Sequence, residues 1–150
     1  MIGIYNYTVI LTYMSLASAV TGIVFAFNGH SFSAIICLLV SGLCDMFDGK
    51  VARTKKQNLE EASFGIQIDS LADIVAFGIL PVAIGLSLGL NKPIFALAYA
   101  LYALCALIRL AYFNVLAETN KKKSNRPLKF YTGLPVTSVA LILPFLYIFK

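Results

Sequence analysis

Asp45, Asp48, Asp69 and Asp73 are the only aspartates in this 150-residue chain, and all four interrupt strongly apolar sequence. The first pair is spaced i, i+3 and the second i, i+4, so on helices each pair shares one face. Four converging carboxylates cannot all stay ionised without counter-charge. One or two divalent cations would supply it, and hard oxygen ligands favour Mg²⁺, Mn²⁺ or Ca²⁺ over zinc. The plainer reading is helix-end acids matched to Lys50, Arg53 and Lys56; it accounts for one acidic pair and leaves the other unexplained.

The elements that must carry these groups follow from composition. Hydrophobic residues make up 59% of the chain and charged residues 13%, with a mean hydropathy of +0.83. A soluble domain of this size could not bury so much apolar surface, which points to an all-α, polytopic membrane helix bundle. Five stretches are long enough to span as helices: roughly residues 8–28, 31–52, 65–90, 93–117 and 131–149. Residues 1–6 contain no basic segment of the kind that opens a secretory signal, so the first span is expected to stay in the mature protein. Placing the loops after the second and fourth spans in the cytoplasm puts every Lys and Arg except Lys92 and Lys150 on or near that side. The N-terminus is then cytoplasmic by the positive-inside rule, and the +5 net charge gathers on a face that attracts anionic headgroups or phosphates.

Depth matches across the two acidic spans. Asp45 lies 14 residues in from Ser31 and Asp73 17 in from Leu90, so both sit about 21–25 Å from the outer surface at 1.5 Å per residue. Antiparallel packing would bring the pairs face to face. Gly49, Ala52 and Gly65 lie on or beside the acidic faces. Small residues there allow close helix packing, and equally allow a phosphate or planar ligand to approach the backbone. Cys37, Cys44 and Cys105 have no metal-type spacing and read as small buried packing residues, while His30 reads as a solvated turn residue. The segment "ETNKKKSNRP", residues 118–127, reads as a polar loop.

Taken together, "DMFDGKVAR" and "GIQIDSLAD" resemble the signature of the CDP-alcohol phosphatidyltransferases, DxxDGxxAR followed by GxxxDxxxD. Asp45, Asp48, Gly49, Ala52, Arg53, Gly65, Asp69 and Asp73 occupy every fixed position. "QIDSLADIVAFGILPVA", "LIRLAYFNV" and "YTGLPV" are similar to the phosphatidylserine synthase branch, so the likeness covers most of residues 35–140. Two features depart from the pattern. The spacer over residues 54–64 holds eleven residues where the common form has about eight. The family usually has six spans, so the expectation is a single domain over residues 1–150 that lacks the last helix.

The resemblance implies transfer of a phosphatidyl group from CDP-diacylglycerol to L-serine with release of CMP, at the cytoplasmic side of a bacterial or archaeal cytoplasmic membrane. It implies two Mg²⁺ or Mn²⁺ ions held by Asp45, Asp48, Asp69 and Asp73, with Asp73 as base for the attacking hydroxyl and Asp69 beside it in catalysis. Gly49, Ala52, Arg53 and Gly65 would hold the cytidine and its phosphates. Arg109 lies 16 residues in from Pro93, near the depth of the aspartates. It would neutralise the acids, bind a lipid phosphate, clamp the serine carboxylate, or simply snorkel to the surface. Asn114 and the lysines at 121–123 are weaker candidates for headgroup or phosphate contacts. The implied partners are the two substrates, membrane lipids and a second copy in a homodimer, with no nucleic acid. The same chemistry with glycerol 3-phosphate or inositol phosphate is one alternative, and a divalent-cation carrier is an alternative of another class.

Overall fold

The computed structural model describes the backbone of residues 9–52, 59–123 and 136–149, and the side chains of 9–47, 63–116, 119 and 136–149. The described residues form helices joined by turns, with no strand among them. In chain order these are α1 (Ile10–Phe27), α2 (Ser31–Ala52), α3 (Leu59–Asp73), a π-helical turn (Ile74–Ile79), α4 (Leu80–Ser87), α5 (Pro93–Lys123), a 3₁₀ turn (Val136–Ser138) and α6 (Val139–Ile148). α3, the π turn and α4 run on as one helix, so the described residues make five helical passes. At the C-terminal ends of α1 and α4 the chain reverses through Gly29 at φ +80° and Gly89 at φ +89°. Both are Schellman stops: His30 N donates to Phe25 O (2.9 Å) and Leu90 N to Gly85 O (3.3 Å). Glycine is placed where only a left-handed residue closes the bond.

What α1 buries shows which solvent the bundle meets. Its buried stripe is Thr12, Ser15, Ala19, Gly22 and Ala26, all small, while Ile10, Met14, Val20, Val24 and Phe27 are exposed. In water the greasy face would turn inward. In lipid both faces are equally well solvated, so the face that lets backbones approach is the one buried. At the α1–α2 contact Ser41 Oγ donates to Ser15 O (2.9 Å), Ser15 Oγ to Ser41 O (3.3 Å), and Ser18 Oγ to Cys37 O (3.0 Å). A further hydroxyl pair, Ser31 Oγ and Ser87 Oγ at 2.9 Å, ties the N-terminal end of α2 to the C-terminal end of α4. Along α5, Ile94, Leu97, Leu101, Leu104, Ile108, Tyr112 and Val115 are exposed, an apolar surface too continuous for water. The molecule is a membrane helical bundle.

The core sits under the C-terminal half of the third pass, where Phe77, Leu80 and Ile84 are fully buried. The helix widens here for a legible reason. Pro81 has no N–H to give the Phe77 carbonyl four residues back, and its ring crowds that position. The backbone adopts i→i+5 bonding instead, with Leu80 N–H donating to Val75 O. The Phe77 carbonyl is bonded by a different donor, the Tyr102 hydroxyl of α5, at 2.5 Å. Leaving such a buried carbonyl unbonded would cost about 1–3 kcal/mol. Gly78, in the same turn, is crowded by its own helix: a Cβ built there would stand 2.9 Å from Ile74 Cδ1, and 4.0 Å, an ordinary contact, from Ala106 Cβ of α5.

Several expectations shift. By length and composition together, three helical stretches can cross a membrane: Ile10–Phe27, Ser63–Ser87 and Pro93–Leu116. Among the described residues the second and fifth passes contribute the apolar stretches Ser31–Phe47 and Val136–Ile148. α3 begins at Leu59, so the second half of the eleven-residue spacer is helix and only residues 53–58 lie outside the described residues. α5 continues to Lys123 through residues read as loop; Ala117, Glu118 and Lys121 to Lys123 are good helix formers. Cys37 and Cys44 are half-buried, whereas Cys105 is exposed on α5.

Candidate active site

Three carboxylates meet between the second and third passes. Asp45 of α2 and Asp69 and Asp73 of α3 each offer an oxygen within 4.8 Å of the others. Asp45 and Asp69 are half-buried, and Asp73 is only 9% exposed. The within-helix spacing aligns Asp69 with Asp73; packing brings Asp45 to them. One turn before Asp45, Ser41 is bonded to α1. Beside it, Gly42 receives α6 so closely that a Cβ on Gly42 would lie 2.7 Å from Ala140 Cβ and 3.9 Å from the Phe77 ring. α2 is thus seated by α1 and α6 just before it presents Asp45. On the opposite side Asp73 is the last residue before the π turn, flanked by buried Ala72 and Ala76.

The donor set decides what such a site can hold. Carboxylates this close, set in apolar helices, repel unless a positive charge lies among them. Oxygen-only ligands fit a hard divalent cation and make a poor site for a thiophilic one. The three aspartates therefore fit a divalent metal ion. No histidine or cysteine joins them among the described residues.

The other sequence candidates are distributed as follows. Asp48, Gly49 and Ala52 continue α2 beyond Asp45, but the Asp48 and Ala52 side chains and the surroundings of Gly49 lie outside the described residues, as does Arg53. The side chains at 121–123 do so too. Gly65 is half-buried on α3, and a Cβ built on it meets nothing within 4 Å among the described residues. The backbone there borders open space, as a ligand-facing glycine would. Arg109 is half-buried, its guanidinium 5.2 Å from the centre of the Phe113 ring one turn on, a cation–π contact that keeps the charge on α5. It lines a cavity of about 720 Å³ between α5 and α6, with Tyr102, Tyr112, Phe113, Val136 and Ser138. Asn114 accepts a 2.7 Å hydrogen bond from Ser70 Oγ. Ser70 is about 100° round α3 from Asp69, and with Gln67 and Asn114 it borders a separate cavity of about 240 Å³.

Sequence reasoning missed Tyr102, Ser41 and Gly42, which support the site without bearing charge. For Tyr102 a signal exists: a proline inside a long apolar helix leaves one carbonyl in need of a donor, and a tyrosine on the next helix can provide it. Ser41 and Gly42 look like ordinary small membrane residues, and nothing local marks them.

Comparison with known proteins adds the family. Residues 5–149 match the family model for CDP-alcohol phosphatidyltransferase. The chain is 38% identical over 112 residues to the CDP-diacylglycerol–serine O-phosphatidyltransferase of Saccharomyces cerevisiae, covering 73% of this chain and 40% of the yeast protein. It is 32% identical over 132 residues to the protein of the same name from Mycobacterium leprae, covering 87% of this chain and 43% of that one. With the archaetidylserine synthase of Methanothermobacter thermautotrophicus it shares 31% identity over 140 residues, covering 93% of this chain and 56% of the relative. The matched region thus spans roughly half the length of these relatives. No solved structure matches. The chain belongs to the CDP-alcohol phosphatidyltransferase family.

Proposed function

We propose that this protein transfers the phosphatidyl group of CDP-diacylglycerol to L-serine, giving phosphatidylserine and CMP. The observation that carries the proposal is the meeting of Asp45, Asp69 and Asp73 within 4.8 Å inside a membrane bundle whose sequence matches the family end to end. Serine as acceptor is supported by the names of the relatives. They differ in the lipid, phosphatidyl or archaetidyl, and share serine.

In this mechanism Asp45, Asp69 and Asp73, with Asp48 as the fourth ligand, would hold one or two Mg²⁺ or Mn²⁺ ions. When bound, these would supply positive charge to offset the negative charge developing on the phosphoryl group and the departing CMP. Asp73 takes the proton from the serine hydroxyl as its oxygen bonds to the phosphorus carrying diacylglycerol, and the bond from that phosphorus to the CMP oxygen breaks. The low exposure of Asp73 limits water as a competing nucleophile. Gly49, Ala52, Arg53 and Gly65 hold the cytidine and its phosphates; the open space at Gly65 supports its share. Arg109 binds the lipid phosphate or the serine carboxylate, with Asn114 a weaker headgroup contact. The site faces the cytoplasm with the N-terminus on the same side, and the chain works as a homodimer.

Purified protein given CDP-diacylglycerol, L-serine and Mn²⁺ or Mg²⁺ should release CMP. No CMP from folded protein with L-serine, glycerol 3-phosphate or inositol phosphate would sink the enzyme reading. Mixing L-serine with the other two acceptors in one assay identifies the preferred one. Metal flux into proteoliposomes without CMP release would favour a carrier.

A further inference from the structure

We infer that Tyr102 is a positioning residue for the carboxylate site, acting through the π turn. It touches neither carboxylate nor reacting atoms. Its hydroxyl donates to the Phe77 carbonyl, the one that Pro81, four residues on, cannot bond. That carbonyl belongs to the wide turn Ile74–Ile79, which starts at the residue after Asp73. Phe77 also stands one turn from Asp73 on the same side of the helix, fully buried, with its ring edge near Gly42 of α2.

One hydrogen bond therefore joins three things the site needs: the helix that carries Asp69 and Asp73, the α5 helix that carries Arg109, and the ring that packs beside the Asp45 helix. Without the Tyr102 hydroxyl, the Phe77 carbonyl loses the donor that α5 supplies, and the turn relaxes to compensate. One end of that turn abuts Asp73. A wide turn beside a functional residue is a recurrent device, and here its extra donor comes from a neighbouring helix.

The inference rests on reading the three aspartates as a divalent-cation site, so its test measures Mn²⁺ affinity of the full chain in detergent, with no substrate present. Tyr102→Phe should weaken Mn²⁺ binding about tenfold, the scale seen when a group supporting metal ligands is lost. Pro81→Ala restores an N–H four residues after Phe77. In that background Tyr102→Phe should change Mn²⁺ affinity less than about twofold. Ser31→Ala removes the hydroxyl pair with Ser87 at the far ends of α2 and α4, 14 residues from Asp45, and should lower the thermal midpoint while leaving Mn²⁺ affinity unchanged. Wild type that binds no Mn²⁺ overturns the metal-site reading itself. Wild type that binds, with Tyr102→Phe binding equally well, overturns the role of Tyr102 alone, as does an equal loss with and without Pro81→Ala. Should Tyr102→Phe not fold, the Pro81→Ala/Tyr102→Phe protein decides: wild-type Mn²⁺ affinity supports the inference, and a loss overturns it.

Discussion

Between residues 63 and 71 no described side chain of the third pass is buried, whereas between residues 80 and 84 four of the five positions are. The N-terminal half carries Asp69 and Asp73 and, among the described residues, borders open space at Gly65; the C-terminal half packs tightly, with a Cβ built at Gly22 standing 3.0 Å from Leu80 Cδ1. The two halves are continuous helix, yet one is held for stability and the other left accessible. Lipid explains the division. Apolar burial gains little inside a bilayer, so close backbone contact supplies cohesion, and it is concentrated where no ligand has to enter. The carboxylates sit at the edge of that packed region: rigid enough for three oxygens to gather, open enough for a substrate to reach them.

If that contrast is real, substitutions in the two halves should separate activity from stability. The largest effect is expected at the carboxylates. Asp69→Asn or Asp73→Asn should lower CMP release about 10²–10³-fold with little change in thermal midpoint. A matching fall in stability would mean that the N-terminal half is structural as well. Next comes the close approach of α2 and α6. Gly42→Ala sets two Cβ atoms 2.7 Å apart, and because both are fixed to backbone the helices must part, costing about 1–3 kcal/mol. Unfolding in detergent should show it, with activity falling as the fraction folded falls.

The smallest effect has the sharpest sign. Gly65→Ala meets nothing within 4 Å and replaces a mid-helix glycine, so it should stabilise the protein by about 0.5–1 kcal/mol. CMP release should nevertheless drop, with a raised apparent KM for CDP-diacylglycerol, since the new methyl occupies ligand space. A variant both more stable and fully active would remove Gly65 from the binding surface.

Much of this was legible in the sequence because it is local. The i, i+3 and i, i+4 spacings of the aspartates define shared faces wherever a helix forms, and apolar runs of membrane length define the helices. The family signature, complete from Asp45 to Asp73, identifies the family. Read less well were the ends of helices: α5 runs on through a charged stretch, and α3 starts within the spacer, because helix-forming residues continue until a proline or a cap intervenes.

What tertiary structure alone decided is which distant residues meet. That Asp45 reaches Asp69 and Asp73 depends on Ser41 against α1 and Gly42 against Ala140, contacts between segments 26 and 98 residues apart in sequence, as counted from residue numbers. That the Phe77 carbonyl finds the Tyr102 hydroxyl depends on how α5 packs against the π turn. Each is set by shape at a crossing of two helices, where one methyl group more or less determines the approach. Sequence spacing carries no record of that distance. The pattern of charges told which residues act together, and packing of the smallest side chains determined whether they could touch.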